Sequence, residues 1–373
     1  MLLTNARIPC NDAFVLRCIR LTDGVIAAIA EELPPLPGEP VLDCRGDYVL
    51  PGFVDTHLHA FGGQDAMQGE AAIRAMSRGL YRTGVAAFLP TTMSASAAET
   101  RSALRGVRAV MHRPELHGAR VLGAHMEAPF LSPAKAGAQL TAYMCPPDWA
   151  VFLALTEGDI AAVRVITLAP ELPGAEAFLR RASEAGVYVS LGHSTATAEQ
   201  THHAADLGAT RVTHTFNAQP ALHHRQPGLT GAALADDRLY AEFIADGIHL
   251  HGDVVRLLCR AKGADKAVAI TDAMEAAGMP DGEYALGGQP VFVRNGQARL
   301  ADGTLAGSIL TMQQALHNLI HRFGIPPIDA VRMCTSTPAE SVGEHVVGHM
   351  TAGSPVPLTR WSRDWHFIDI IED

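Results

Sequence analysis

The sequence predicts an α/β protein, a (β/α)8 barrel of the TIM type with a small β-sandwich domain formed by both termini. Three observations predict it: eight short apolar runs recur along the middle of the chain, stretches of helical length separate them, and both ends carry short alternating strands. The runs are GFVDTHLH (52–59), VAAFLPTT (85–92), ARVLGAHME (119–127), VRVITLAP (163–170), VYVSLGH (187–193), TRVTHTF (210–216), YAEFIADG (240–247) and AVAITDA (267–273). Apolar runs of this length, joined by crossover-length segments, are the mark of parallel strands buried on both faces.

The elements follow in order. Residues 1–48 contain LLTNARIP and FVLRCIRLTDGVIAAIA, then the turn-rich ELPPLPGEP. Between the barrel strands, AAIRAMSRGLYRT, AAETRSALRGVRAVM, AEAFLRRASEA and TAEQTHHAADL have helical composition and end near Gly or polar loop residues. After the eighth strand, VFVRNGQARL places Asn295-Gly296 between two strand-like runs. This predicts a β-hairpin that projects over the barrel mouth. The tail ends in the strand-like WHFIDII. Residues 49–345 are therefore assigned to the barrel, and 1–48 with 346–373 to the small β-domain.

Composition narrows the function. The 373 residues are 48% hydrophobic and 18% charged, the balance of a compact globular chain. A formal charge of −10 argues against a non-specific binder of nucleic acid or acidic membrane, which needs a basic surface. MLLTNARIPCNDAF lacks the basic and apolar regions of a signal peptide, and no later run reaches membrane-spanning length, so a cytoplasmic, unanchored protein is expected. The six cysteines form no CxxC pair and are expected to be reduced packing residues.

The chemistry gathers at strand ends. Alternation along a strand puts His57 and His59 on one face, so both imidazoles can reach one ion. Alone this HxH pair is a modest signal. The third strand ends in Glu127, the fifth in His193, the sixth carries His214 and the eighth ends in Asp272. In a barrel these ends converge on one mouth, where such clustered donors are costly to desolvate without a cation. The N/O donor set suits zinc, iron or another first-row metal. His125 shares the face of Glu127 and is a candidate to orient the site.

The segments PGFVDTHLHAFGG, HMEAPFLSPAKAGAQ, SLGHSTATAEQ, VTHTFNAQPALHHRQPG, ADGIHLH, ITDAM and GTLAGSIL resemble, in order, those of the N-acetylglucosamine-6-phosphate deacetylase family of the amidohydrolase superfamily. The resemblance covers most of the chain. It implies that His193, His214 and Glu127 hold the main metal, that His57 and His59 bind a second ion or complete the first site, and that Asp272 is the catalytic base and acid. It further implies one or two divalent ions, zinc or iron, with an amino-sugar phosphate as substrate. Asn217, the amide of Ala218 and Arg225 would meet the phosphate, and His249 the substrate. The family's phosphate-binding arginine reaches across a dimer interface in some members, so a homodimer is expected.

Two positions depart from the family pattern: Ala128 replaces a glycine after Glu127, and Gln139 stands where some members have a histidine near the substrate carbonyl. The expected reaction is hydrolysis of the N-acetyl group of N-acetylglucosamine 6-phosphate. The alternatives are the same reaction on N-acetylgalactosamine 6-phosphate, or hydrolysis of a different amide.

Overall fold

The computed structural model describes all 373 residues. Eight barrel strands form in chain order: Phe53–Leu58, Val85–Thr92, Ala124–Met126, Val163–Leu168, Tyr188–Leu191, Ala209–Val212, Tyr240–Ile244 and Ala267–Ile270. Each pairs in parallel with the next. The first and second strands are buried at every position, as strands covered on both faces must be.

The ring closes between the eighth strand and the first. Asp272 N–H donates to His57 O at 2.8 Å and His59 N–H to Ala273 O at 2.9 Å. Beneath this seam the buried Asp55 carboxylate accepts from Thr271 Oγ1 at 2.5 Å and from the N–H groups of His57 and Thr271, both at 3.3 Å. Burial pushes its pKa up to about 7 against the pull of these bonds. Two site residues, His57 and Asp272, are thus tied together through the backbone.

The helices Glu70–Tyr81, Ala97–His112, Ala175–Glu184 and Ala198–Asp206 lie where the sequence predicts them. Reciprocal caps open the second and fourth of these, Ser96 with Glu99 and Thr197 with Gln200. Further helices at Trp149–Thr156, Gly228–Ala235 and Gly252–Lys262 complete the crossovers.

The third strand differs from expectation. ARVLGAHME forms two short pieces, Arg120–Val121 and Ala124–Met126, rather than one strand. Gly123 breaks it with φ 135°, and a Cβ there would stand 2.8 Å from Arg164 Cβ.

The terminal domain is a seven-stranded sheet built from both ends of the chain, around a core that includes Leu3, Ile8, Ile19, Ile26, Val49 and Leu358. Two-residue turns at Asn11-Asp12 and Asp23-Gly24 connect its first strands, Leu2–Cys10, Ala13–Thr22 and Val25–Ala30. Tyr48–Pro51 pairs antiparallel with Leu358–Trp361, so this sheet takes in residues past position 48.

After the eighth strand, Gly282–Leu286, Gln289–Arg294 and Gln297–Arg299 form a three-stranded antiparallel lid. Its hairpin turns at Asn295 (φ 53°) and Gly296 (φ 79°), the left-handed pair that Asn-Gly favours. Leu286, Val291, Val293 and Ala298 pack on Met93 and Met274 at the barrel mouth. No helix is long and apolar enough to cross a membrane.

Candidate active site

His57, His59, Glu127, His193, His214 and Asp272 meet at one end of the barrel, all buried. His193 (φ 46°), His214 (φ 28°) and Asp272 (φ 49°) each adopt a left-handed backbone just beyond their strands. Such conformations cost about 1–3 kcal/mol for non-glycine residues and persist where surrounding structure fixes them. Here the turn swings each side chain into the mouth.

Glu127 is the hub. Its Oε1 lies 3.0 Å from His214 Nε2, 3.2 Å from His193 Nε2 and 3.4 Å from His57 Nε2. Its Oε2 lies 3.4 Å from His59 Nε2. Asp272 Oδ1 completes the cluster at 3.3 Å from His59 Nε2 and 3.6 Å from His57 Nε2. Two donor groups share Glu127, one with His57 and His59 and one with His193 and His214.

The donor set fits a divalent cation. His57 Nδ1 faces the Glu242 carboxylate at 3.1 Å, so its proton belongs there and Nε2 carries a lone pair. That buried Nε2 has no hydrogen-bond partner and points at a carboxylate oxygen. His193 Nε2 and His214 Nε2 likewise face each other at 3.2 Å. Lone pairs aimed at one point repel unless a proton or a metal cation lies between them. The separations of 3.0–3.6 Å match the edges expected around an ion with bonds of about 2.0–2.1 Å.

Protons compete with that cation. Burial alone would lower the pKa of His59, but hydrogen bonds to Asp272 and Glu127 outweigh it and raise it to about 10. For His214 the Glu127 hydrogen bond overcomes burial and gives about 9. Both rings therefore carry a proton at neutral pH in the metal-free protein, and a metal must displace it. Affinity for zinc is expected to rise with pH up to about 10, the higher of the two values, with proton release on binding. Chelator competition between pH 6 and 9 checks this; a pH-independent affinity would sink it.

Sequence reasoning missed the support under the site. Glu242, on the seventh strand, accepts from His57 Nδ1 and from the His214 N–H at 3.3 Å. Arg211, on the sixth strand, is buried and bonds to Glu242 Oε1, Ser341 Oγ and Thr56 Oγ1. Burial would raise the Glu242 pKa, but the Arg211 guanidinium and His57 hold it well below the usual carboxylate range. The pair fixes the His57 tautomer.

Removing one partner leaves the other charge buried. Glu242→Gln is therefore expected to cost about 3–5 kcal/mol of stability and to weaken metal binding by about 10–100-fold. The double substitution Arg211→Met/Glu242→Leu should recover stability but not metal affinity. Urea unfolding read beside chelator competition separates the two effects.

His125 is a satisfied neutral histidine. Its Nδ1 donates to Thr56 O at 3.2 Å and its Nε2 accepts from Thr167 Oγ1 at 2.7 Å. Burial and the neighbouring His57 push its pKa down to about 3. It packs against the His57 ring and has no donor left for an ion.

A cavity of about 390 Å³ opens from this cluster and is also lined by Gln139, Asn217, Ala218, His249 and Arg299. Gln139 is already engaged: Oε1 accepts from Ser94 N–H at 2.6 Å, and Nε2 donates to Glu127 Oε2 at 2.5 Å. Its amide steadies Glu127 rather than lying free for a carbonyl. His249 Nδ1 lies 2.7 Å from Asp246, whose pKa is lowered, against the effect of burial, by bonds to His249 and nearby N–H groups. Ala128 faces a separate apolar pocket with Pro129, Val151 and Leu155, so its methyl group does not narrow the cavity beside Glu127. Arg225 is exposed and outside the cavity of its own chain, beside His224 in a surface pocket with Thr195 and Glu199.

A parallel eight-stranded barrel gathering four histidines and two carboxylates at one mouth is the architecture of a metal-dependent hydrolase, and the chain belongs to the amidohydrolase family, whose profile matches residues 48–369. Within that family it is similar to amino-sugar-phosphate deacetylases. It is 40% identical over 340 residues to the N-acetylglucosamine-6-phosphate deacetylase of Lysinibacillus sphaericus, covering 89% of this chain and 86% of that protein. It is 38% identical over 343 residues to the N-acetylgalactosamine-6-phosphate deacetylase of Escherichia coli O157:H7, covering 90% and 88%. Among solved structures, the Mycobacterium smegmatis N-acetylglucosamine-6-phosphate deacetylase in complex with N-acetylglucosamine 6-phosphate superposes with a TM-score of 0.90. Identity is 30%, over 100% of this chain and 97% of that one.

Proposed function

We propose that this chain hydrolyses the N-acetyl group of N-acetylglucosamine 6-phosphate to give glucosamine 6-phosphate and acetate, using one or two divalent ions, zinc or iron. The observation that carries the reading is the meeting of six metal-capable and acid–base side chains, five of which line a cavity of about 390 Å³ with His57 buried behind them.

His57, His59, Glu127, His193 and His214 would hold the metal. A bound divalent cation supplies a more acidic water and a polarised amide carbonyl. Asp272 does the proton work. Burial would raise its pKa, but the neighbouring His57 and His59 lower it, so it is a carboxylate at neutral pH. It takes a proton from the attacking water and delivers it to the departing amine. His249, oriented by Asp246, and the Asn217-Ala218 turn line the same cavity and are assigned to the sugar phosphate.

Because Arg225 lies outside its own cavity, we assign it to the cavity of a partner in a homodimer, where its paired donors suit phosphate. A sugar phosphate does not cross membranes unaided, which supports a cytoplasmic location. The deciding experiment measures acetate release by metal-loaded protein from N-acetylglucosamine 6-phosphate, its galacto epimer and the unphosphorylated sugar. Preference for the gluco phosphate is expected. Preference for the epimer would shift the substrate by one hydroxyl, and no release from any of them would overturn the reading.

A further inference from the structure

The cavity wall carries a charge that the catalytic site does not use. Among the residues lining it, Arg299 alone has a permanent positive charge. It ends the last strand of the lid, Gln297–Arg299. Its Nε and Nη2 donate to Gln297 Oε1 at 3.0 and 2.8 Å, and its Nη1 donates to Gly303 O at 2.7 Å. Both acceptors are uncharged. In this chain of net charge −10, Arg20, Arg105, Arg211 and Arg360 each pair with a carboxylate. Arg299 is instead held in place by neutral groups that leave its charge unspent. Of its five N–H donors three are used, and two remain for an anion.

Its position is tied to the reacting end of the site. Arg299 bridges to Leu305 in the segment that returns from the lid, and Leu300 N–H closes the turn between them on Thr304 O at 2.9 Å. Three residues further on, Ser308 N–H donates to Asp272 O at 2.7 Å. Gly307 between them has φ 65°, and a Cβ there would lie 2.9 Å from Asp272 O. The backbone that presents Arg299 is therefore packed against the backbone that presents Asp272.

We propose that Arg299 is the cationic contact that this chain itself supplies to the anionic group of its substrate, so that the lid reads the phosphate from the same protomer that performs the hydrolysis. The proposal rests on the sugar-phosphate reading above. It gives the cavity a permanent cation of its own chain, separate from the exposed Arg225. Guanidinium offers phosphate two donors in a fixed plane, and an anion held there by the lid positions the sugar over the histidine end of the cavity.

The test compares wild type, Arg299→Gln and Arg299→Lys, all metal-loaded, on N-acetylglucosamine 6-phosphate and on the unphosphorylated sugar. The quantity read is the ratio of kcat/KM for the phosphorylated over the unphosphorylated substrate. Arg299→Gln is expected to lower that ratio by about 10–100-fold, mainly through KM, as loss of a charge-assisted contact implies. Arg299→Lys should recover part of it, and carries the comparison if the Gln variant does not fold. Inorganic phosphate should also inhibit the Gln variant more weakly than wild type. An unchanged ratio, or an equal fall on both sugars, would overturn the role of Arg299 while leaving the sugar-phosphate reading intact. A wild type with no preference for the phosphate would overturn that reading and this proposal together.

Discussion

Asp272→Asn is expected to lower kcat by about 10²–10⁴-fold, the contribution of a positioned acid–base group, with metal content retained. Asparagine is the substitution that isolates the proton. It keeps the shape of the side chain and tolerates the left-handed backbone at φ 49°. The backbone bonds that seat the residue, to His57 O and from Ser308 N–H, involve no side chain and remain. The carboxylate is active as a base only when ionised, so the wild-type rate falls as the pH drops through its pKa. The Asn variant should lose that acidic limb. The measurements are the pH profile of kcat/KM for both proteins and their metal content. A variant that keeps full activity would remove Asp272 from the mechanism. One that loses its metal would make it a ligand instead.

Much of this arrangement was legible in the sequence because barrel strands are short, apolar and end in the residues that do chemistry. His57, His59, Glu127, His193, His214 and Asp272 fall in the last few residues of predicted strands, and the fold brings those ends to one mouth. Asn295-Gly296 announced the hairpin because few other pairs accept two left-handed residues in succession. The third strand was harder. Nothing in the apolar pattern of ARVLGAHME shows that Arg164 packs against Gly123, a contact between residues 41 positions apart that interrupts the strand.

The support beneath the proposed metal ligands was hidden for a different reason. Arg211 and Glu242 sit in the middle of apolar strands, TRV and YAEFI, where a single charged residue is easily read as facing water. A signal was present. Two opposite charges inside adjacent strands of a parallel sheet buried on both faces have no solvent to reach, and their partner must be each other. Gln139 illustrates the converse. Its position in the cavity was foreseen, but the cost of leaving both ends of a buried amide unpaired directs it to Ser94 and Glu127 before any substrate arrives.

Glu127→Ala is expected to abolish tight metal binding and to reduce activity by about 10³-fold or more, the worth of several kcal/mol of transition-state stabilisation. No other side chain belongs to both donor groups. One of its oxygens stands within 3.4 Å of three imidazoles and the other within 3.4 Å of a fourth. Without it the four rings keep their lone pairs but lose the anion that offsets the cation's charge. The contrast is His59→Ala, which removes one donor from one group and leaves Glu127, His193 and His214 together. Elemental analysis after dialysis should find no retained ion in the Glu127 variant and a bound ion in the His59 variant. Full metal content in the Glu127 variant would show that the imidazoles suffice and that Glu127 is not the shared ligand. Loss of all metal in the His59 variant would show that the two donor groups form one indivisible site.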